Sequence, residues 1–294
     1  MTTPHGLGDC MERNNALYKR RQGYNTLGLI FAGCSVVFGL VFLGLILIKL
    51  FTAGAHAMIT MPIFTQDTPS PNDVGGLRNA IVGSVMITGL GLLVGTPIGI
   101  MAGIYLAEFA EGSWLGKVTR FMNDILLSAP SIVIGLFIFA LMVQGRNFSG
   151  WAGAMALALL VIPVVVRTTE NMLRLVPNTL REAGYALGTP KWKLVSSVTL
   201  RAAKTGVMTG VLLAFARISG ETAPLLFTAL NNQFFSTNMS QPMANLPNVI
   251  YQYASQPYPS SNQLAWAGAL LVTLAVLALN IIARLLGGKE QKSN

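Results

Sequence analysis

Two charged side chains stand inside a long apolar run, where charge is expensive. Arg217 and Glu221 lie four residues apart in the stretch 205–229, and on a helix that spacing puts them on one face. An arginine at the centre of a membrane-crossing helix costs roughly 2.5–3.5 kcal/mol on insertion scales, which argues for a role. Arg217 lies 13 residues beyond Lys204, about 20 Å along a helix rising about 1.5 Å per residue, past the middle of the run. Its planar fork donates to two oxygens at once, the geometry an oxyanion needs. Two readings stay open. Either Glu221 holds Arg217 and yields it to a passing anion, or the two form a buried ion pair that only fixes packing. Thr222 offers a hydroxyl beside them, and Gly220 and Pro224 are expected to bend the helix.

Other chemistry finds little support. There is no GxxxxGK[ST] loop, no HExxH pair and no plausible nucleophile with its base, and Gly287-Gly288-Lys289-Glu290 is not a phosphate-binding loop. His5 and His56 are isolated, and Cys10 and Cys34 form no CxxC signature. An enzyme, a metal site and a bound cofactor are therefore not expected.

The elements that must carry these residues are apolar. Apolar residues make up 52% of the 294 and charged residues 11%, against about 25% charged in a soluble domain; mean hydropathy is +0.57. Six stretches are long and apolar enough to cross a bilayer: 26–48, 79–107, 125–144, 147–166, 205–229 and 264–283. Such runs read as helices, because backbone groups in lipid find no water. The expected fold is all-α, a polytopic membrane protein with six transmembrane helices. Its parts are a tail over 1–25, a first transmembrane helix over 26–50, a core over 75–284 that holds the other five runs and the 167–204 loop, and a tail over 285–294. The first run ends near Ala55-His56-Ala57, which mimics a signal-peptidase site. Its length exceeds the usual apolar core of about 7–15 residues, so it reads as a retained helix.

Basic residues set the orientation. The net charge is +9, and sixteen Lys and Arg fall in 1–25, 108–124, 167–204 and the C-terminal tail. The alternate loops hold Arg78 and Arg146, with Lys49 at the outer end of the first run. The positive-inside rule then places both termini and the 167–204 loop in the cytoplasm, and no nucleic-acid partner is implied.

Gly91, Gly95, Gly99 and Gly103 recur every fourth residue of the second run. They mark one helix face against which another backbone can close, either as ordinary membrane packing or as a contact in a moving bundle. Pro97 is expected to kink that helix. Ser128, Pro130 and Ser131 in the third run are weaker polar candidates, open equally to a packing role. The stretch 230–263 has no Lys or Arg and is rich in Asn, Gln, Pro and aromatic residues; docking surface, plug and plain connector all remain open.

The loop 167–204 is helical by its pattern. Pro177-Asn178-Thr179 reads as a helix start and Gly188-Thr189-Pro190 as a stop, giving a short helix over about 179–187 and a second helix after it. Leu175, Leu180, Ala183, Leu187, Trp192, Leu194 and Val195 supply an apolar stripe. That stripe calls for a partner, either a second protein or the chain's own bundle.

The string Glu182-Ala183-Gly184-Tyr185-Ala186-Leu187-Gly188 resembles the EAA signature of permease subunits of binding-protein-dependent ABC importers. Arg217-Ile218-Ser219-Gly220-Glu221-Thr222-Ala223-Pro224-Leu225-Leu226 narrows the resemblance to the phosphate branch. Gly103 to Glu108, Asp124 to Ser131 and Arg167-Thr168-Thr169-Glu170-Asn171 are similar too, and together they point to the PstA-type permease family, of the CysTW type, over about 60–286. Two positions depart from the signature: Gly184 replaces Ala, and Leu200-Arg201 stands where Leu-Pro is usual.

The resemblance implies a type I importer permease core that pairs with a PstC-type permease as a heterodimer. It implies two ATP-binding subunits below, a periplasmic phosphate-binding protein above, membrane lipid around the bundle and inorganic phosphate as cargo. Glu182, Ala183, Gly184, Leu187 and Gly188 would then belong to the coupling helix that enters a groove on the ATPase. Arg217, Glu221 and Thr222 would line the substrate pathway. Arg167 would line the inner exit, though it serves equally well as a positive-inside anchor. The residues alone support only a polytopic transporter that tolerates anions. Competing readings are a sulfate, molybdate or phosphonate permease, against which the 220–226 run argues, and an autonomous channel or secondary transporter, which would show internal repeats that are not apparent.

Overall fold

The computed structural model describes residues 6–70 and 73–290, with side chains described for 18–70 and 73–281. Every regular element among them is helical. The first helix, α1 (Gly6–Thr60), runs unbroken through the stretch read as a polar tail. Residues 1–52 and 53–294 form two compact units. In the first, the apolar side chains of 27–48 are mostly exposed, as a helix facing lipid or another chain requires.

The second unit holds α2 (Arg78–Ile104), α3 (Trp114–Ser128), α4 (Ser131–Ile138) and α5 (Gly150–Arg174). They are followed by α6 (Asn178–Ala186), α7 (Lys191–Leu194), α8 (Leu200–Ser219), α9 (Ala223–Thr228), α10 (Leu246–Ala254) and α11 (Pro259–Glu290). Wider, π-type turns close α2 (Tyr105–Phe109) and α4 (Phe139–Val143), and one joins α7 to α8 (Val195–Thr199). Among the described residues five helical stretches are long and apolar enough to cross a membrane, and a sixth crossing arises if the bent pair Trp114–Ser128 and Ser131–Val143 is one span.

The third run, expected over 125–144, is sharply bent. The chain turns by 104° between the two halves of that pair. Pro130 disfavours helical geometry at the residue before it, and Ala129 is indeed extended, at φ −66° and ψ 133°. The expected fifth span is broken too. Helix α8 ends at Ser219, Gly220 to Thr222 leave the helix, and α9 starts with Pro224 in its first turn. The halves beyond the two breaks, α4 and α9, pack together, with Gly135 seated on Pro224.

The glycine row is the seam between α2 and α5. A Cβ on Gly91 would meet Leu157, on Gly95 the Ala158 carbonyl and Val161, on Gly99 Val165, and on Gly103 Thr169. Small residues let the two backbones close without a side-chain layer between them. Helix α2 continues through Pro97. Around this seam, Ile87, Leu157, Val161, Val165, Ala214, Ile218 and Leu225 form the main core.

The 230–263 stretch is folded rather than a bare connector. Leu246, Val249 and Tyr253 join Ala57, Ile63, Leu77, Leu264 and Ala267 in a second core. Amide side chains tie down three of its loop carbonyls: Asn79 donates to the Asn232 carbonyl, Asn232 to Pro242 and Asn248 to Leu230. Asn245 caps α10 through the Asn248 amide. Tyr253 donates to the Pro69 carbonyl at 2.8 Å, and burial pushes its phenol above the ordinary value.

Candidate functional site

Arg217 occupies the last turn of α8, beside the break rather than in the middle of a continuous span. Its side chain is 42% exposed, and its charged neighbour is Glu221 at 3.9 Å. That separation is too long for a hydrogen bond. Glu221 lies beyond the helix end, so the expectation that the pair shares one helical face is corrected: the Gly220 break replaces the i,i+4 geometry with a loose charge contact. Thr222 precedes α9 without capping it through its hydroxyl. Arg217, Glu221 and Thr222 are thus gathered at one broken point.

Arg167 is in α5, about half-exposed, with Asp124 of α3 at 3.9 Å. Among the described residues no ion pair joins it to the Arg217 group. Ser128 donates back to the Ile125 carbonyl at the end of α3, and Pro130 and Ser131 form the bend into α4.

The short helix over about 179–187 is present as α6. Gly188 follows at φ +70°, a left-handed turn that ends the helix at low cost for glycine. Glu182, Ala183 and Leu187 are exposed, Leu187 to 84%. With Leu180, Tyr185 and Trp192 they leave an uncovered, partly apolar surface. Gly184 faces the other way: a Cβ there would lie against the Cδ1 of buried Leu194. The departure from the EAA pattern is therefore a packing accommodation, because glycine lets α6 sit down on the start of the next helix.

Two charge clusters next to α6 were not singled out in the sequence. Glu170, 3% exposed, accepts from Arg120 at 2.7 Å and forms an ion pair with Arg174 at 2.7 Å. Arg120 also donates to the Leu106 carbonyl, so α3, α5 and the end of α2 meet at one carboxylate. The second cluster joins Glu108 to Arg181. The available signal was scarcity: the chain has only 11 acidic residues, and a buried one must be paired.

The chain matches the family described as "Binding-protein-dependent transport system inner membrane component" over residues 95–290. It is 59% identical over 272 residues to the phosphate transport system permease protein PstA of Haemophilus influenzae, covering 92% of this chain and 96% of that one. This chain belongs to the PstA family of inner-membrane permease components. The PstA protein of Yersinia pestis is 53% identical over 283 residues, covering 96% of each. The fold is shared with a bacterial alginate ABC transporter crystallised with its alginate pentasaccharide-bound periplasmic protein, at TM-score 0.64, 14% identity, and 97% and 98% coverage. It is shared with the MetNI methionine ABC transporter in an inward-facing form, at TM-score 0.55, 18% identity, and 74% and 94% coverage. The PstA fold is thus an all-helical importer permease of the inner membrane, crossing it several times.

Proposed function

We propose that this chain is the permease subunit of an ATP-driven phosphate importer, working by alternating access with a second permease of the PstC type. Two ATP-binding subunits supply the hydrolysis, and the permease itself is not an enzyme. A periplasmic phosphate-binding protein delivers the anion. Both termini and the α6 surface face the cytoplasm, where the basic loops place them. The α6 helix seats on an ATPase through Glu182, Ala183, Leu187 and Gly188, while Gly184 lets α6 pack on Leu194 behind that surface.

The observation that carries the anion reading is the state of Arg217. It is a permanent cation at a break in a membrane span, 42% exposed and, among the described residues, paired with Glu221 at 3.9 Å. An arginine so weakly engaged keeps donors for an oxyanion, and leaving it to face lipid would be costly. Glu221 steadies it between transits, Thr222 adds a donor, and Arg167 offers a second cation at the cytoplasmic end of α5. The 59% identity to a phosphate permease supports phosphate over sulfate, molybdate or phosphonate.

The test is phosphate uptake by cells carrying Arg217→Gln, with sulfate uptake and ATPase co-purification measured in parallel. The expected result is loss of phosphate uptake from an assembled complex. Uptake that persists assigns Arg217 a structural place at most, and loss of assembly identifies the pair with Glu221 as packing.

A further inference from the structure

Helix α6 is poorly equipped to hold its own position. It is nine residues long and buries none of them, and isolated helices of that length are marginal in water. It packs on α7 and the wide turn after it, and among the described residues one side chain supplies its hydrogen bonds to the earlier helices. The Arg181 guanidinium donates to Glu108 at 2.9 Å, to the Leu173 carbonyl at 2.8 Å, to the Val176 carbonyl at 2.6 Å and to Asn178 at 3.2 Å. Leu173 lies in the last turn of α5 and Val176 just beyond its end, where carbonyls lack helical partners and the helix dipole favours a cation. Glu108, 7% exposed, lies in the wide turn that closes α2. One residue of α6 thus grips the ends of the two helices that form the glycine seam.

We propose that Arg181 is the positioning residue of the coupling helix: its clasp on Glu108 and the α5 carbonyls makes α6 move as one body with the α2–α5 pair. This rests on the reading of α6 as the ATPase-facing helix. Without the clasp, α6 still has its exposed surface to offer an ATPase, but its movement no longer drags the bundle. Lysine cannot replace arginine here, because one ammonium cannot span a carboxylate and two carbonyls in a fixed fork. A cavity of about 420 Å³ beside the clasp is lined by Glu108, Glu111, Arg174, Tyr185 and Lys191 among others. Glu111 lines it without pairing with Arg181, and so provides a charge-matched control.

The experiment uses the whole importer, purified with its partner permease and ATPases and reconstituted in proteoliposomes. Phosphate moved per ATP hydrolysed is measured for the wild type, Arg181→Lys, Glu108→Gln, the double variant and Glu111→Gln. Assembled complexes of the first two variants are expected to hydrolyse ATP while moving about tenfold less phosphate per ATP, a typical scale for lost coupling. The double variant is expected to be no worse than either single one, and Glu111→Gln to match the wild type. A wild-type ratio in Arg181→Lys and Glu108→Gln overturns the proposal, and so does failure of both to assemble, which makes the clasp mere packing. A second readout is independent of substrate: cross-linking of a Tyr185→Cys, Glu111→Cys pair across the cavity, with Cys10 and Cys34 replaced by serine. Its yield is expected to ignore nucleotide in the wild type and to change with nucleotide in Arg181→Lys. A wild-type complex that moves no phosphate refutes the substrate assignment alone, and the cross-link still decides the clasp.

Discussion

Alanine at Gly95 would put a methyl carbon 2.9 Å from the carbonyl oxygen of Ala158 and from two carbons of Val161. Ordinary contact begins near 3.4 Å, so α2 must retreat from α5 by about 0.5 Å, the difference between the two distances. A gap of about 0.5–1 Å already forfeits a quarter to a half of each dispersion contact. Because the helices are stiff, the loss spreads to the seats at Gly91, Gly99 and Gly103. Overpacking of this kind costs about 1–3 kcal/mol, while alanine in place of glycine returns about 1 kcal/mol of helix propensity. Gly89 lies in the same helix, and a Cβ there meets nothing within 4 Å, so Gly89→Ala carries only the propensity gain. The propensity cancels between the two variants, and Gly95→Ala should be less stable than Gly89→Ala by about 1–3 kcal/mol. Reversible SDS unfolding in detergent micelles measures that difference directly. Equal stability, or a more stable Gly95→Ala, would refute the close-seam account of the glycine row.

Glu170→Ala leaves the largely buried Arg120 guanidinium without its carboxylate, and removing one partner of a buried pair costs about 3–5 kcal/mol; the same unfolding assay should place it well below Glu111→Gln. Leu187→Asp changes a residue that is 84% exposed, so the chain should keep its unfolding midpoint while the ATPase no longer co-purifies with it. Retained co-purification would remove Leu187 from the docking surface.

Much of the fold was legible because membrane physics leaves strong marks. Six apolar runs, the α6 start at Pro177-Asn178 and its stop at Gly188 follow from hydropathy and from two residues with narrow backbone preferences. Continuity of the third and fifth spans was not legible. A Pro or Gly in a membrane helix is often tolerated when neighbours satisfy the freed backbone groups: Pro97 is carried within α2, while Pro130 and Gly220 mark breaks. The outcome depends on what packs against each site. At Pro97 the neighbouring Gly95 and Gly99 hold α2 tight against α5, whereas beyond Pro130 and Gly220 the halves α4 and α9 find each other.

The sequence by itself determined that this chain lives in a membrane, that its glycine row would close on a neighbour and that Arg217 is a misplaced charge in need of a reason. Only the tertiary structure decided which helix the glycines meet, that Glu221 grips Arg217 loosely across a break, and that Glu108 and Glu170 are buried anchors rather than solvated loop charges. The physical reason is range. Burial in lipid and helix periodicity are sums over neighbours in the chain, whereas an ion pair such as Glu108 with Arg181 joins residues 73 apart, and nothing local in either segment announces the other.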